Sequence, residues 1–154
     1  MTAERPVVLT AKVGVSYQAA TRVTGIGIVL QSTNRARRAG PILDEISEAY
    51  EGVPPGVREL FAVFRALEIA CERGYQRVKV RSDYNYMRTR LKHAHAAGDL
   101  VDPHTLEGRT LALAQIFEVV AFAWQPRRKN AIAHQLARKA TTDLPRTRRP
   151  ELFP

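Results

Sequence analysis

Between Val7 and Tyr17 the odd positions are apolar (Val7, Leu9, Ala11, Val13, Val15, Tyr17), while Thr10, Lys12, Gly14 and Ser16 fall between them. A period of two over eleven residues predicts a strand with two unlike faces. Such a strand is stable only within a sheet, so the rest of the chain has to supply its partners. After the polar break Gln18 to Thr21, the run Val23 to Leu30 sets Gly25 and Gly27 among Ile26, Ile28, Val29 and Leu30, which suits a second strand returning beside the first. These glycines do not read as a phosphate loop, because no helix start follows them.

Gln31 to Gly40, with Arg35, Arg37 and Arg38, reads as a basic hairpin loop. Pro41 to Tyr50 is a weaker third strand carrying Asp44, Glu45 and Glu48. Beyond a turn rich in proline and glycine, Val57, Leu60, Phe61, Phe64, Leu67 and Cys71 recur at helical spacing until Gly74 supplies the stop. Arg77 to Ser82 alternates basic and apolar residues as a short strand, Asp83 stands at its end, and Tyr84 to about His93 predicts a helix with Met87 and Leu91 on one face. Ala94 to Leu100 reads as a loop. Asp102-Pro103 can open another helix, with proline at its first position and Leu106, Leu113, Ile116 and Phe117 as its apolar residues. Val119 to Trp124 is a fifth strand, Trp124 being expected to pack in the core. Asn130 to Ala140 is a closing helix that buries Ile132 and Leu136, with Ala133 and Ala140 beside them. The expectation is an α/β fold, a five-stranded mixed sheet flanked by helices, with residues 1–140 as one domain and 141–154 as a flexible basic tail.

A chain of 154 residues, 45% of them hydrophobic, is long enough to bury a core. Its 24 Lys and Arg against 15 Asp and Glu give a formal charge of +9, which points to a polyanionic partner, nucleic acid first. Most of that charge is arginine, whose planar fork suits phosphate. Cys71 is the one cysteine, so no intramolecular disulfide can form; it reads as a small core residue of a protein in the reducing cytoplasm. No leader pattern and no run of 18 apolar residues is present, so neither secretion nor membrane spanning is expected.

Candidate chemistry begins with acids at element ends, since two-metal nucleases need carboxylates converging from several elements. Asp83 follows a strand directly, where open sheets place their sites, but is equally suited to capping the helix after it. Glu59 lies in the first turn of a helix, where the dipole alone favours an acid. His93, His95 and His104 show no tight ligand spacing and do not read as a zinc site.

The block ELFAVFRALEIACERGYQRVKVRSDYNYMRTRL resembles the central part of type 1 ribonuclease H domains, in particular the reverse-transcriptase-like group. GIGIVL is similar to the family's second strand, and WQPRRKNAIAHQLARKA to its last strand and helix. The resemblance runs from about Val7 to Ala140. It implies that Glu59 and Asp83 match two metal-binding carboxylates, and that Asn130 matches an asparagine that commonly begins the last helix. It also implies two departures: the first catalytic aspartate falls near Lys12 and the last at His134, so two of four acids are missing.

A lysine among these carboxylates would put a fixed ammonium where a divalent cation belongs. An alternative metal set is Glu59, Asp83 and His134, binding Mn or Zn better than Mg. The leading expectation is a nucleic-acid-binding domain that has lost its metal site and needs no cofactor. The alternative is an active divergent ribonuclease H that uses Mg or Mn and another acid such as Asp44 or Glu45. The resemblance places substrate along Arg88, Arg90 and Lys92 and at the rim turn Arg127, Arg128, Lys129 and Asn130, with Tyr84 and Tyr86 available for stacking. RNA/DNA hybrid, double-stranded RNA and a branched junction are the ligands these phosphate contacts would suit.

Overall fold

A computed structural model describes residues 8–33, 39–85, 91, 94–95 and 101–154. Its sheet has strands β1 (Val8–Gln18), β2 (Val23–Thr33), β3 (Ala39–Glu51), β4 (Arg77–Ser82), β5 (Val119–Trp124) and β6 (Arg146–Arg148). Three helices are described: α1 (Arg58–Glu72), α2 (Leu106–Ala114) and α3 (Ala131–Asp143). The strand order is β5-β4-β1-β2-β3-β6. β1, β2 and β3 form an antiparallel meander, while β4 runs parallel to β1, β5 to β4, and β6 to β3. The mixed α/β architecture expected from the alternating patterns is therefore present, with one strand more. Among the described residues no helix is long and apolar enough to cross a membrane.

The period-two alternation of β1 separates two faces. Leu9, Ala11 and Val13 join Ile26, Ile28 and Leu30 of β2 and Val78 and Val80 of β4 in the main core, against the α1 side of the sheet. α1 buries Leu60, Phe61, Ala62, Val63, Phe64, Ala66, Leu67, Ile69 and Ala70, more than one stripe, because it is packed between the sheet and α2. Full burial of a side chain such as Phe61 is worth about 1.5–3 kcal/mol. Gly74, at φ +79°, ends the helix as expected, its N–H donating to Cys71 O.

The opposite face carries α3, and glycine decides how close it comes. A Cβ at Gly25 or Gly27 would collide with the backbone carbonyl of Ala137 or Ala133, and one at Gly14 would stand 2.9 Å from Ala133 C and His134 N. The helix meets the sheet through Ala133, Ala137 and Ala140, all buried, and Ser47 Oγ–H donates to Leu136 O. The expected burial of Ile132 is corrected: it is 43% exposed, because the face that touches glycine has room only for alanine.

Two further differences have simple causes. α2 is capped by Thr105, whose hydroxyl accepts Gly108 N–H at 3.0 Å, and not by Asp102. Asp102 instead accepts the N–H of His104 at 2.9 Å, holding Pro103 in a turn before the helix, and Ile116 lies beyond the helix end, 68% exposed. Within residues 141–154, read from the sequence as a loose tail, α3 continues to Asp143 and Arg146–Arg148 add β6. Arg149 then grips Glu68 with two hydrogen bonds of 2.9 and 3.1 Å, and Phe153 packs edge-on against Phe61, the ring centroids 5.2 Å apart. A three-residue strand exposed throughout has no alternation to betray it.

Gly27→Ala is expected to lower stability by about 1–3 kcal/mol through overpacking. Gly56→Ala, where nothing lies within 4 Å of the added carbon, should shift it by less than about 0.5 kcal/mol. Urea midpoints of the two variants check this contrast; equal midpoints would show that α3 can lift off the sheet without cost.

Candidate functional site

β4 delivers Asp83 to the carboxyl edge of the parallel strands, and its backbone is held on two sides there. Trp124 Nε1–H donates to Asp83 O at 3.1 Å, and Gln125 N–H to Ser82 O at 2.9 Å, while Ser82 Oγ accepts Tyr84 N–H at 3.1 Å. Trp124 is 41% exposed, a clasp across two strand ends and not the core residue expected. The indole finds its partner at the wet end of the strand, as its N–H demands.

The Asp83 carboxylate does not stand free. Its Oδ2 lies 3.2 Å from Nε2 of His134, a residue buried on the sheet-facing side of α3. An ionised carboxylate can only accept, so the tautomer that makes this hydrogen bond to it is the one with the proton on Nε2; among the described residues Nδ1 is buried without a partner.

The short turn Pro55–Val57 leads into α1 and places Glu59 in its first turn, at the same edge. Partial burial, then the charge of Asp83, holds the Glu59 carboxyl above its usual range; His134, Arg58 and Arg127 pull it back. Glu59, Asp83 and His134 are thus electrical neighbours. Arg58 stacks over the Tyr17 ring at 3.5 Å, closing that flank with a cation–π contact.

Lys12 does not complete this group. β1 pairs with β4 as far as Lys12 opposite Arg81, and two residues further along each chain Gly14 comes level with Asp83. The expected Lys12 salt bridge to Glu59 or Asp83 is not formed: among the described residues Lys12 has no ion pair, and it lines a separate cavity with Arg128 and Lys129. At the β1 position beside Asp83 stands a glycine, with the backbone of α3 against it.

Asp44 is held by Arg73 at 2.7 Å, which keeps its carboxyl below the usual range. Arg73 lies beyond the far end of α1 from Glu59, about 20 Å away at 1.5 Å per residue. Glu45 sits opposite Val29, two strands from β1. Neither acid joins the cleft. Arg127, Arg128 and Lys129 are exposed in the turn Arg127–Asn130, whereas Asn130 is buried, its Nδ2–H donating to Val13 O. His95 packs edge-on against Phe122, and His104 is exposed. Tyr86, Arg88, Arg90, Lys92 and His93 lie outside the described residues.

The fit to a pair of hard divalent cations is poor. Among the described residues no three His, Cys, Asp or Glu side chains gather in a metal-binding group. Of the cleft's two carboxylates, one is already hydrogen-bonded to an imidazole. Sequence reasoning missed Gly14, the Arg58–Tyr17 stack and the Trp124 clasp. The GVS segment and its spacing to Gly25 and Gly27 carry the only trace of the first.

Because the folded-state pKa of Glu59 is raised, its ionisation opposes folding as pH rises through that value, and the cost is absent below the unfolded pKa of about 4.3. Glu59→Gln should therefore melt higher than the parent at pH 7, with the gap closing as pH falls towards 4. Thermal melts across that range check it, and a gap that widened on acidification would reverse the assignment.

Residues 12–140 match the reverse transcriptase-like family. No curated protein sequence matches the chain. Among solved structures, ribonuclease H1 from the halophilic archaeon Halobacterium salinarum superposes with a TM-score of 0.67 at 22% identity, over 89% of this chain and 99% of that one. The N-terminal ribonuclease H domain of a Mycobacterium tuberculosis protein gives 0.65 at 21%, over 87% and 93%. LC11 ribonuclease H1, solved with an RNA/DNA hybrid, gives 0.59 at 24%, over 87% and 95%. The fold is that of ribonuclease H, and the chain belongs to the reverse transcriptase-like family.

Proposed function

We propose that the protein binds a nucleic-acid duplex, an RNA/DNA hybrid in the first instance, and holds it without two-metal hydrolysis. The observation that carries this reading is the Asp83–His134 hydrogen bond, backed by Gly14 where a further carboxylate would be needed. Two-metal cleavage requires acids converging on both ions, and here one oxygen of Asp83 is engaged by a buried ring. The choice of hybrid rests on LC11 ribonuclease H1, which is seen with that ligand.

Binding itself is supported by charge and its placement. The formal charge is +9, and the exposed turn Arg127–Lys129 stands beside the cleft, close enough for Arg127 to act on Glu59. In this proposal Arg88, Arg90 and Lys92 add phosphate contacts, and Tyr84 and Tyr86 stack on sugar or base faces. Such groups engage phosphates and groove shape, so recognition is of duplex form and not of base sequence. With one half-buried free cysteine, Cys71, a reducing compartment such as the cytoplasm fits the same reading.

The retained neighbours Glu59 and Asp83 favour a second reading, a divergent nuclease that recruits Mg or Mn to this pair. The two readings part on one experiment. End-labelled RNA in a hybrid, incubated with Mg and separately with Mn, should stay intact while gel shift shows it bound. Cleavage that disappears in Asp83→Asn would overturn the first reading and establish the second.

Neutralising Arg127, Arg128 and Lys129 together is expected to weaken hybrid binding and to flatten the dependence of log affinity on log salt by about 3, near 0.9 for each phosphate that no longer meets a cation. An unchanged slope would place the binding face elsewhere.

A further inference from the structure

The turn Arg127–Asn130 has two sides. Arg127 acts on Glu59 in the cleft, whereas Arg128 and Lys129 line a cavity of about 240 Å³ on the other side, at the amino end of α3 over β1, β2 and β3. Its lining combines three cations (Lys12, Arg128, Lys129) with an apolar floor of Val29, Ile42 and Ile132, and among the described residues it contains no acid. The three cations form no ion pair among the described residues. Glu45, level with Lys12 across Val29, is outside the lining.

Two observations point to a ligand with both an anionic and a flat polar part. Ile42 and Ile132 are 44% and 43% exposed, apolar surface left open directly beside uncompensated positive charge. Asn130, 1% exposed, also lines the cavity, and among the described residues its Oδ1 has no hydrogen-bond partner. A free phosphate would satisfy the cations and leave both features unused. A nucleoside would cover the isoleucines and leave the cations unused.

We infer that this cavity takes one unpaired nucleotide, its phosphate against Lys12, Arg128, Lys129 and the amino end of α3, and its base over Val29, Ile42 and Ile132 with an exocyclic N–H toward Asn130 Oδ1. The source is either a free mononucleotide or an unpaired nucleotide of a bound strand; the recognition chemistry is the same. The choice of a nucleotide rests on the nucleic-acid-binding reading; the cavity shares Arg128 and Lys129 with the proposed duplex contact, so Lys12, Ile42 and Ile132, which that contact does not use, carry its separate test.

Adenosine 5′-monophosphate, adenosine and inorganic phosphate are titrated by calorimetry into the full chain, and a duplex hybrid is titrated in parallel with and without a single-stranded overhang. The monophosphate should bind at least about tenfold tighter than either half-ligand, a difference of about 1.4 kcal/mol. Lys12→Gln should weaken it about tenfold. The double variant Ile42→Gln with Ile132→Gln, at positions exposed enough to leave the fold intact, should do the same without altering affinity for the blunt duplex. A gain from the overhang that the double variant abolishes identifies a strand as the source; no gain from the overhang identifies the free nucleotide. Phosphate binding as tightly as the monophosphate, no monophosphate binding at all, or monophosphate binding indifferent to these substitutions would each overturn the inference. Loss of blunt-duplex binding in the parent would count against the nucleic-acid reading and leave the monophosphate titration to decide the cavity on its own.

Discussion

The close approach of α3 to the sheet sets everything near the cleft. Where Gly14, Gly25 and Gly27 present no side chain, the helix backbone settles onto the strands, and only Ala133, Ala137 and Ala140 fit between. That depth brings His134 within reach of Asp83, and it lays helix backbone against the β1 position where a further carboxylate would have to stand. Packing and chemistry are here one constraint: a helix held a side chain's width higher would leave Asp83 open to other partners. The van der Waals cost of the opposite arrangement is severe, because backbone cannot move aside as the end of a flexible side chain can.

The carbonyl edge of the sheet is then shared between acid and base. Partial burial and then the charge of Asp83 oppose the ionisation of Glu59, and His134, Arg58 and Arg127 offset them. Three acids elsewhere are bound in structural pairs: Glu48 receives both ends of the Arg65 fork at 2.7 and 3.0 Å, Glu68 receives Arg149, and Asp44 receives Arg73. Bidentate geometry makes the first two stronger than ordinary surface pairs. The exposed turn Arg127–Lys129 contributes three cations to the formal charge of +9.

The last residues of the chain belong to the fold's other face. Phe153 extends an edge-to-face series from Tyr50 through Phe61, with centroids 4.8 and 5.2 Å apart, and Arg149 fastens the same segment to α1. β6 covers the Ala49–Glu51 end of the β3 edge, where backbone groups would otherwise be open to another chain.

By itself the sequence determined the strands and helices whose apolar spacing is long and regular. β1, β4 and α1 were legible because burial on one face demands a period of two or three to four residues, and Glu59 and Asp83 were placed because they stand at the ends of such elements. The rest was decided by tertiary structure. Gly25 and Gly27 look in sequence like weak strand residues, yet their lack of a Cβ becomes meaningful only when α3 lies on them. His134 looks like a half-exposed helical residue until that same approach buries it against Asp83, and Lys12 resembles a substituted ligand until strand register sets it two residues short of the cleft. Periodicity reports which face of an element is buried; which atoms then meet across the gap depends on the distance between elements, and in this protein that distance was set by three absent side chains.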